Sequence, residues 1–342
     1  MRYPEFLKPG GTIGFVAPSF GCATEPYMTC FNAGLKRLNE MGYETVLGPN
    51  CRESKGIGKS NTPELCGAEV NEFFLNNNCD VIFSVGGGET MCEDLPFFDL
   101  EGIKKAAPKW YMGYSDNTNL TFILPTLCDT AAVYGPCAAE FGMEPLHPAV
   151  LDAFSLVEGK KLTFNNYDGW ESEQLKSEEQ PLLPYNINEP YAQIVAGNKE
   201  LAKEFSGRFI GGCLDILVQF PGTPFDGVKA FNERYKEEGI IWFIESCDLN
   251  VMSVRRALWQ LDQAGWFEHV KGFLVGRPVN YADEFLGYGM HDAVTDMLSK
   301  FNVPIIMDID LGHMSPQMPF ISGGYGTVRT TEKTIAIEYE LR

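Results

Sequence analysis

The chain has few basic residues and no long hydrophobic run, and both absences limit what it can do. Lys and Arg number 27 against 46 Asp and Glu, which gives a formal net charge of −19. Because nucleic acids and anionic membranes bind clustered positive charge, we expect neither as a partner. No segment approaches the roughly 20 apolar residues of a membrane-spanning helix. The first residues also lack the apolar core of a secretory signal, so we expect a cytoplasmic protein.

The ten cysteines are scattered without the spacing of a disulfide framework or a zinc site. There is no Cys-x-x-Cys pair and no cluster of cysteine with histidine. We therefore expect reduced thiols that are mostly buried.

The first 140 residues alternate between strand-like and helix-like segments. Strands are predicted at 11–19, 43–48, 79–88, 109–115 and 131–136, and helices at 27–42 and 62–77. Such alternation predicts an α/β domain whose parallel sheet carries helices on both faces. In such a domain, ligands bind at the carboxyl ends of the strands.

A change in composition near the middle of the chain marks a domain boundary. Residues 158–190 are polar and acidic, contain proline and show little periodicity. A chain of 342 residues is also long for a single hydrophobic core. We therefore predict an N-terminal domain at 1–160, a linker at 161–200 and a C-terminal domain at 201–342. The C-terminal domain mixes strands and helices without regular alternation.

The stretch GYSDNTNL at 113–120 follows a buried strand and precedes a helix, and it has two interpretations. In the first, Ser115 and its neighbours form an ordinary turn that caps the helix. In the second, the turn is a nucleophile elbow that presents the Ser115 hydroxyl. The amide of the next residue, Asp116, would then point to where an oxyanion forms.

The glycine-rich stretch SVGGGET at 84–90 also follows a predicted strand. Its glycines allow close backbone approach, and their N–H groups can line an anion site. A tight turn or a nucleotide-phosphate loop gives a similar pattern, although GxGxxG is incomplete and no P-loop Lys-Ser/Thr follows. In a third interpretation, Gly87 supplies a second oxyanion amide beside Ser115, because the two loops end neighbouring strands.

Each of the four histidines is a candidate for the catalytic base. His269 and His291 lie in helical segments with charged neighbours, which is typical of surface residues, and His147 stands next to a helix start. His313 follows the buried strand VPIIMDI in a loop rich in glycine and proline. Catalytic side chains often lie in such loops, although a structural histidine is the commoner case.

Glu245 ends the apolar run at 240–244 and is a candidate for the acid of a triad. Ser246 and Asp248 are better placed to cap the helix that follows, so Glu245 is free for another role. A buried acid of this kind fixes the tautomer of a catalytic histidine and stabilises the imidazolium. With Ser115 and His313, the predicted chain order is serine, acid, histidine.

Together these motifs resemble the serine LD-carboxypeptidase family, and within it the branch of the microcin C self-immunity peptidases. The similarity is carried, in chain order, by KPGGTIGFVAPS, SVGGGET, MGYSDNTNL, GRFIGGCLDIL with GTPF, IWFIESCD and LGHMSPQMPFISGG. The match extends over most of the chain.

This resemblance implies Ser115 as the nucleophile, His313 as the base and Glu245 as its orienting acid. Gly87 and Asp116 are implied as the donors of the oxyanion amides. For the fold, it implies a flavodoxin-like N-terminal domain and a swivelling β/α C-terminal domain. It further implies a homodimer, with neither a metal nor a cofactor.

The branches of this family imply two substrates, a muropeptide tail that ends in D-alanine and an aminoacyl-nucleotide conjugate of the microcin type. Val85 stands where the LD-carboxypeptidase branch typically has Arg, and the long acidic linker is more like the immunity branch. We therefore favour the conjugate. Cys213 stands where the family commonly has Asn, which puts a substrate contact by that side chain in doubt.

Two other functions fit parts of the sequence. An α/β-hydrolase esterase uses the same order of triad residues, but Asn117 occupies the last glycine position of its G-x-S-x-G turn. A non-catalytic module that binds a nucleotide or a sugar is the second alternative. Such a module needs no special reactivity at Ser115.

Overall fold

The computed structural model of the protein describes residues 1–56 and 58–342. The strands are β1 Thr12–Val16, β2 Glu44–Leu47, β3 Val81–Ser84, β4 Trp110–Gly113, β5 Ala132–Tyr134, β6 Thr163–Asn165, β7 Gly169–Trp170, β8 Glu189–Pro190, β9 Ile194–Gly197, β10 Glu204–Cys213, β11 Ile240–Glu245, β12 Val270–Gly276, β13 Glu284–Phe285, β14 Tyr288–Gly289, β15 Pro304–Ile309, β16 Phe320–Ser322, β17 Tyr325–Thr330 and β18 Ile335–Glu340. The helices are α1 Tyr27–Glu40, α2 Pro63–Leu75, α3 Leu100–Lys105, α4 Thr118–Leu127, α5 Pro148–Val157, α6 Leu214–Leu217, α7 Val228–Tyr235, α8 Val251–Gln263 and α9 Met290–Leu298.

The first sheet is built mainly from the N-terminal part of the chain. Its strands β1 to β5 run parallel in the order β5-β4-β3-β1-β2. This is the flavodoxin-like order, so the predicted α/β fold is confirmed. The remaining strand, β16, comes from the C-terminal part of the chain and pairs antiparallel with β5.

The second sheet is mixed and has the order β6-β18-β17-β10-β11-β12-β15-β9. Its central strands β10, β11, β12 and β15 are parallel, and the outer strands are antiparallel to their neighbours. The segment 161–200, predicted as a linker, contributes the two edge strands β6 and β9. Edge strands are short and partly exposed, so they carry little of the hydrophobic periodicity that reveals a strand in a sequence.

The two sheets pack against each other through a shared aromatic cluster. The ring of Phe243 in β11 lies 5.7 Å from that of Tyr134 in β5 and 5.0 Å from that of Phe320 in β16. Helix α4 also contacts β10, where the Cys213 amide donates to Thr118 Oγ1 at 3.0 Å. The ends of β5, β10 and β11 therefore meet at one place.

Close approach at this junction requires glycine at position 212. Its φ of +142° is rarely adopted by residues with a side chain, and an added Cβ would lie 2.6 Å from the Thr118 side chain. The motif GRFIGGC thus lets β10 lie directly against α4.

The structure also tests what the composition suggested about membrane-spanning segments and cysteines. Within the described residues, no helix combines the length and the apolar character needed to cross a membrane. All ten cysteines are free thiols, and all but Cys92 and Cys247 are buried, as the sequence predicted.

Candidate active site

Ser115 lies in a tight turn between β4 and α4. Its φ is +64°, in the left-handed region that residues other than glycine rarely adopt. A single helical turn at Ser115–Asn117 then continues directly into α4. Backbone strain of this kind is stored where the surrounding structure holds a side chain in a fixed direction. The geometry is therefore that of a nucleophile elbow, and not of an ordinary capping turn.

Hydrogen bonds connect Ser115, His313 and Glu245 in series. The Ser115 hydroxyl donates to His313 Nε2 at 2.9 Å. On the other side of the ring, His313 Nδ1–H donates to Glu245 Oε2 at 2.8 Å. The structure thus brings together the three residues that the sequence suggested as a triad, in the geometry that such a triad needs.

Glu245 and His313 both follow the carboxyl ends of parallel strands in the second sheet. Glu245 is the last residue of β11, and His313 lies in the loop after β15. The helix after β11 is capped by Asn250, whose side chain accepts from the Ser253 amide at 2.9 Å. The prediction that Ser246 and Asp248 cap this helix is therefore wrong, although Glu245 is not its cap either.

The loop that carries His313 is anchored by buried contacts. Asp310 forms a buried salt bridge with Arg277, and its second oxygen accepts from the Tyr167 amide at 2.7 Å. Farther along, the Glu171 amide donates to the Ser315 carbonyl at 2.9 Å. The segment 161–200 therefore helps to position the histidine.

Tyr134 is a residue of the site that the sequence analysis missed. Its hydroxyl donates to Glu245 Oε1 at 2.5 Å and accepts from the Ser115 amide at 3.2 Å. Glu245 is 1% exposed, and Tyr134 and His313 together bind both of its carboxylate oxygens. Tyr134 ends β5, which lies beside β4 and within the predicted strand 131–136, so its place near a strand end was the signal that could have found it.

The electrostatics of Glu245 and His313 stabilise the protonated imidazole that forms when Nε2 accepts a proton. Burial raises the pKa of Glu245, but the charge of His313 and hydrogen bonds from His313 and Tyr134 bring it below the ordinary value. Burial lowers the pKa of His313, but the Glu245 carboxylate and Cys247 raise it well above 6.5. Such a pair stabilises the imidazolium that forms when a serine hydroxyl loses its proton.

The two candidate oxyanion residues lie on either side of Ser115. A Cβ added to Gly87 would lie 3.1 Å from Ser115 Oγ, so the glycine loop directly adjoins the hydroxyl. Asp116 follows Ser115, and its buried carboxylate accepts from Ser19 Oγ at 2.5 Å and from the Met91 amide at 3.0 Å. The Asp116 side chain thus anchors the turn, and only its backbone amide is a candidate oxyanion donor.

Asn117 joins the glycine loop to the serine turn. Its Nδ2 donates to the carbonyl of Gly86 at 2.9 Å and to that of Tyr114 at 3.0 Å. Asn117, which occupies the last glycine position of the G-x-S-x-G pattern, therefore fixes the glycine loop relative to the serine turn.

A methyl group at position 87 should damage the site without unfolding the protein. In Gly87→Ala, the new Cβ would lie 3.0 Å from Ser115 Cβ, a contact that displaces the serine. We expect kcat/KM to fall by about 100-fold, as when an oxyanion donor is lost. Gly86→Ala is the matched control, since its Cβ would lie 3.4 Å from Phe20 and should cost far less. Equal losses in the two variants would contradict a special role for Gly87.

The other histidines have contacts away from this site. His147 Nδ1 accepts from the Ala149 amide at 3.1 Å and caps α5. His291 in α9 pairs with Asp308 at 2.9 Å. His269 is exposed and lies in a turn before β12 with a φ of +61°, and not in a helix as predicted.

One group of side chains at the site has the composition of a metal site. Potential ligand atoms of Cys213, Glu245 and His313 lie within 4.8 Å of one another. The imidazole and the carboxylate, however, are hydrogen-bonded to each other and to Ser115 and Tyr134. We therefore assign no metal to this group.

A cavity of about 510 Å³ opens beside the serine, a size that suits a small ligand. Its lining includes Gly87, Tyr114 and His313, together with the charged residues Glu140 and Lys176.

Family models match both halves of the chain. The LD-carboxypeptidase N-terminal domain matches residues 13–135, and the LD-carboxypeptidase C-terminal domain matches residues 206–328. The chain belongs to the LD-carboxypeptidase family of serine peptidases. The predicted family is confirmed, and the esterase and the binding module are not supported.

Relatives and solved structures resemble this peptidase over almost its whole length. A Bacillus subtilis protein named "Probable murein peptide carboxypeptidase" is 24% identical, covering 98% of this chain and 94% of its own. An MccF-like protein from Bacillus anthracis has a TM-score of 0.84 at 22% identity, covering 99% and 100% of the two chains. The microcin C7 self-immunity protein MccF in complex with aspartyl sulfamoyl adenosine has a TM-score of 0.82 at 23% identity, covering 100% of both. At these identities the solved structures show a shared fold.

Proposed function

We propose that this peptidase cleaves an amide bond in a small peptide or peptidyl conjugate, with Ser115 as nucleophile, His313 as general base and Glu245 as the orienting acid. The observation that carries the proposal is the series of hydrogen bonds from the Ser115 hydroxyl through the imidazole to the buried carboxylate. The family assignment supports the same chemistry.

The reaction follows from the positions of these groups. Ser115 Oγ attacks the carbonyl carbon while its proton passes to His313 Nε2, and the Glu245 carboxylate stabilises the imidazolium. The amides of Gly87 and Asp116 are the proposed donors to the oxyanion. His313 then gives the proton to the leaving nitrogen, and a water molecule hydrolyses the acyl-serine by the same steps in reverse.

For the substrate, we propose an aminoacyl-nucleotide conjugate over an LD-muropeptide. Val85, in place of the Arg typical of the carboxypeptidase branch, lines the cavity beside Gly87. The fold is shared with MccF, one of whose structures contains aspartyl sulfamoyl adenosine. The murein name of the Bacillus subtilis relative favours the alternative.

A competition experiment distinguishes the two substrates. The purified chain is given a tetrapeptide muropeptide and aspartyl sulfamoyl adenosine, and kcat/KM is measured for each, with Ser115→Ala as the blank. We expect the aminoacyl nucleotide to be preferred. A preference for the muropeptide by tenfold or more, about 1.4 kcal/mol in transition-state binding, would reverse the substrate assignment and leave the triad in place.

We also propose that the protein acts in the cytoplasm as a homodimer. The free thiols suit a reducing compartment, and the family resemblance supports the dimer.

A further inference from the structure

Glu140 places its carboxylate in the cavity beside the serine. The proposed triad does not include this group. Glu140 lies in a single helical turn at Ala138–Gly142, shortly after β5. The Tyr185 hydroxyl donates to Glu140 Oε2 at 2.9 Å. Burial raises the pKa of the Glu140 carboxyl above its usual value, although the charge of Lys176 and the hydrogen bond from Tyr185 lower it.

The carboxylate lies in the same cavity as residues of the proposed catalytic site. Tyr114 precedes Ser115 in the chain, and its ring centroid is 5.1 Å from that of His313. The charge of His313 also acts on Glu140 and lowers its pKa. Glu140, Gly87 and His313 line the same cavity, so a ligand that reaches the serine passes near this carboxylate.

Glu140 has no cation in contact with it within the part of the chain that the structure describes. The ion pairs nearby join Arg37 to Glu144 and His313 to Glu245. Lys176 lines the same cavity and lowers the pKa of Glu140 by its charge, but it forms no salt bridge with the carboxylate. Glu140 is half-buried, so its carboxylate is only partly solvated, and a bound cation would offset the cost of that burial.

We propose that Glu140 is a specificity-determining residue that binds a primary ammonium group of the substrate. The Tyr185 hydroxyl occupies one of the roughly four acceptor positions of the carboxylate and holds it in place, which leaves acceptors for an N–H⁺ donor. The enzyme thus selects compounds with a free amine, and it disfavours those in which the amine is acylated. This inference rests on the proposed function, because it assigns a substrate group to the same cleft.

A matched pair of compounds tests the proposal. Aspartyl sulfamoyl adenosine and its N-acetyl derivative differ in one ammonium group, and kcat/KM is measured for both. We expect the wild type to prefer the free amine by about tenfold or more. Glu140→Gln should lower kcat/KM for the free amine alone and bring the ratio close to one.

The control variant is Glu144→Gln, which removes the same charge four residues along the chain, beside Arg37 and not in the lining of the cavity. It should keep the wild-type ratio. An equal loss for both compounds in Glu140→Gln would show a structural role and overturn the proposal. If the Glu140→Gln protein does not fold, the ratio of the two kcat/KM values in the wild type decides the question.

Failure of the inference is distinguishable from failure of the proposed function. If the wild type hydrolyses both compounds at similar rates, the ammonium site is wrong and the peptidase chemistry stands. If it hydrolyses neither these compounds nor the muropeptide, the proposed function fails. Binding of the two compounds to Ser115→Ala then measures the amine preference without turnover, and equal Kd values would overturn it.

Discussion

Ser115→Ala is expected to lower kcat by about 10⁴- to 10⁶-fold, as the loss of a triad nucleophile does in other serine peptidases. Without the hydroxyl, no acyl-serine forms, and His313 has no proton to accept from residue 115. The fold should persist, because the hydroxyl is a small group at the edge of the cavity and the turn is held by Asn117 and Asp116. Hydrolysis in a steady-state assay and circular dichroism measure the two effects.

The control is His147→Gln, which changes a histidine that caps α5, away from the serine. It should keep wild-type turnover within a few-fold. A serine-directed phosphonate should label the wild type and leave Ser115→Ala unlabelled. Hydrolysis near the wild-type rate in Ser115→Ala would show that another group is the nucleophile.

Glu245→Gln is expected to lower kcat by about 10³- to 10⁴-fold and to change the pH dependence as well. The carboxylate raises the pKa of His313 well above 6.5, so the wild type should lose activity as pH falls through a midpoint above that value. The base is the neutral imidazole, which predominates only above the pKa. Removing the carboxylate lowers that pKa, so the residual activity should fall at a lower pH than in the wild type.

The pH profile of kcat/KM checks this second prediction, with Glu69→Gln as the control. Glu69 is 1% exposed and accepts from the backbone amides of Ala17 and Asn50, away from the histidine. The Glu69→Gln variant should be less stable than the wild type, but the pH at which its kcat/KM falls on the acidic side should stay the same. An unchanged midpoint in Glu245→Gln, or a flat wild-type profile between pH 5 and 8, would contradict a histidine base paired with Glu245.

Local patterns in the sequence predicted most of the first sheet and the candidate residues at its strand ends. The strands before Gly87 and Ser115 are short apolar runs, so their places in the chain and their parallel pairing followed from composition and alternation, although the predicted ranges 79–88 and 109–115 extend beyond β3 and β4. The same rule placed Glu245 and His313 beyond strands of the second sheet. Motif resemblance then gave the family, which the comparisons confirm.

Only the tertiary structure decided which of these strand ends meet. Ser115 and His313 lie 198 residues apart, and their contact depends on the packing of β5, β10 and β11 at the junction of the sheets. Tyr134 was missed because its place at a strand end is shared by many residues without a catalytic role, and Glu140 was missed because a glutamate in a short helical turn has no distinctive local pattern. The edge strand β6 was missed because it has only three residues, the first and last of which are exposed, whereas β9 lies within the β-like stretch YAQIVAG. Hydrophobic periodicity shows which side of a strand or helix is buried. It does not show which distant strands or helices come into contact, because those contacts form only when the sheets pack.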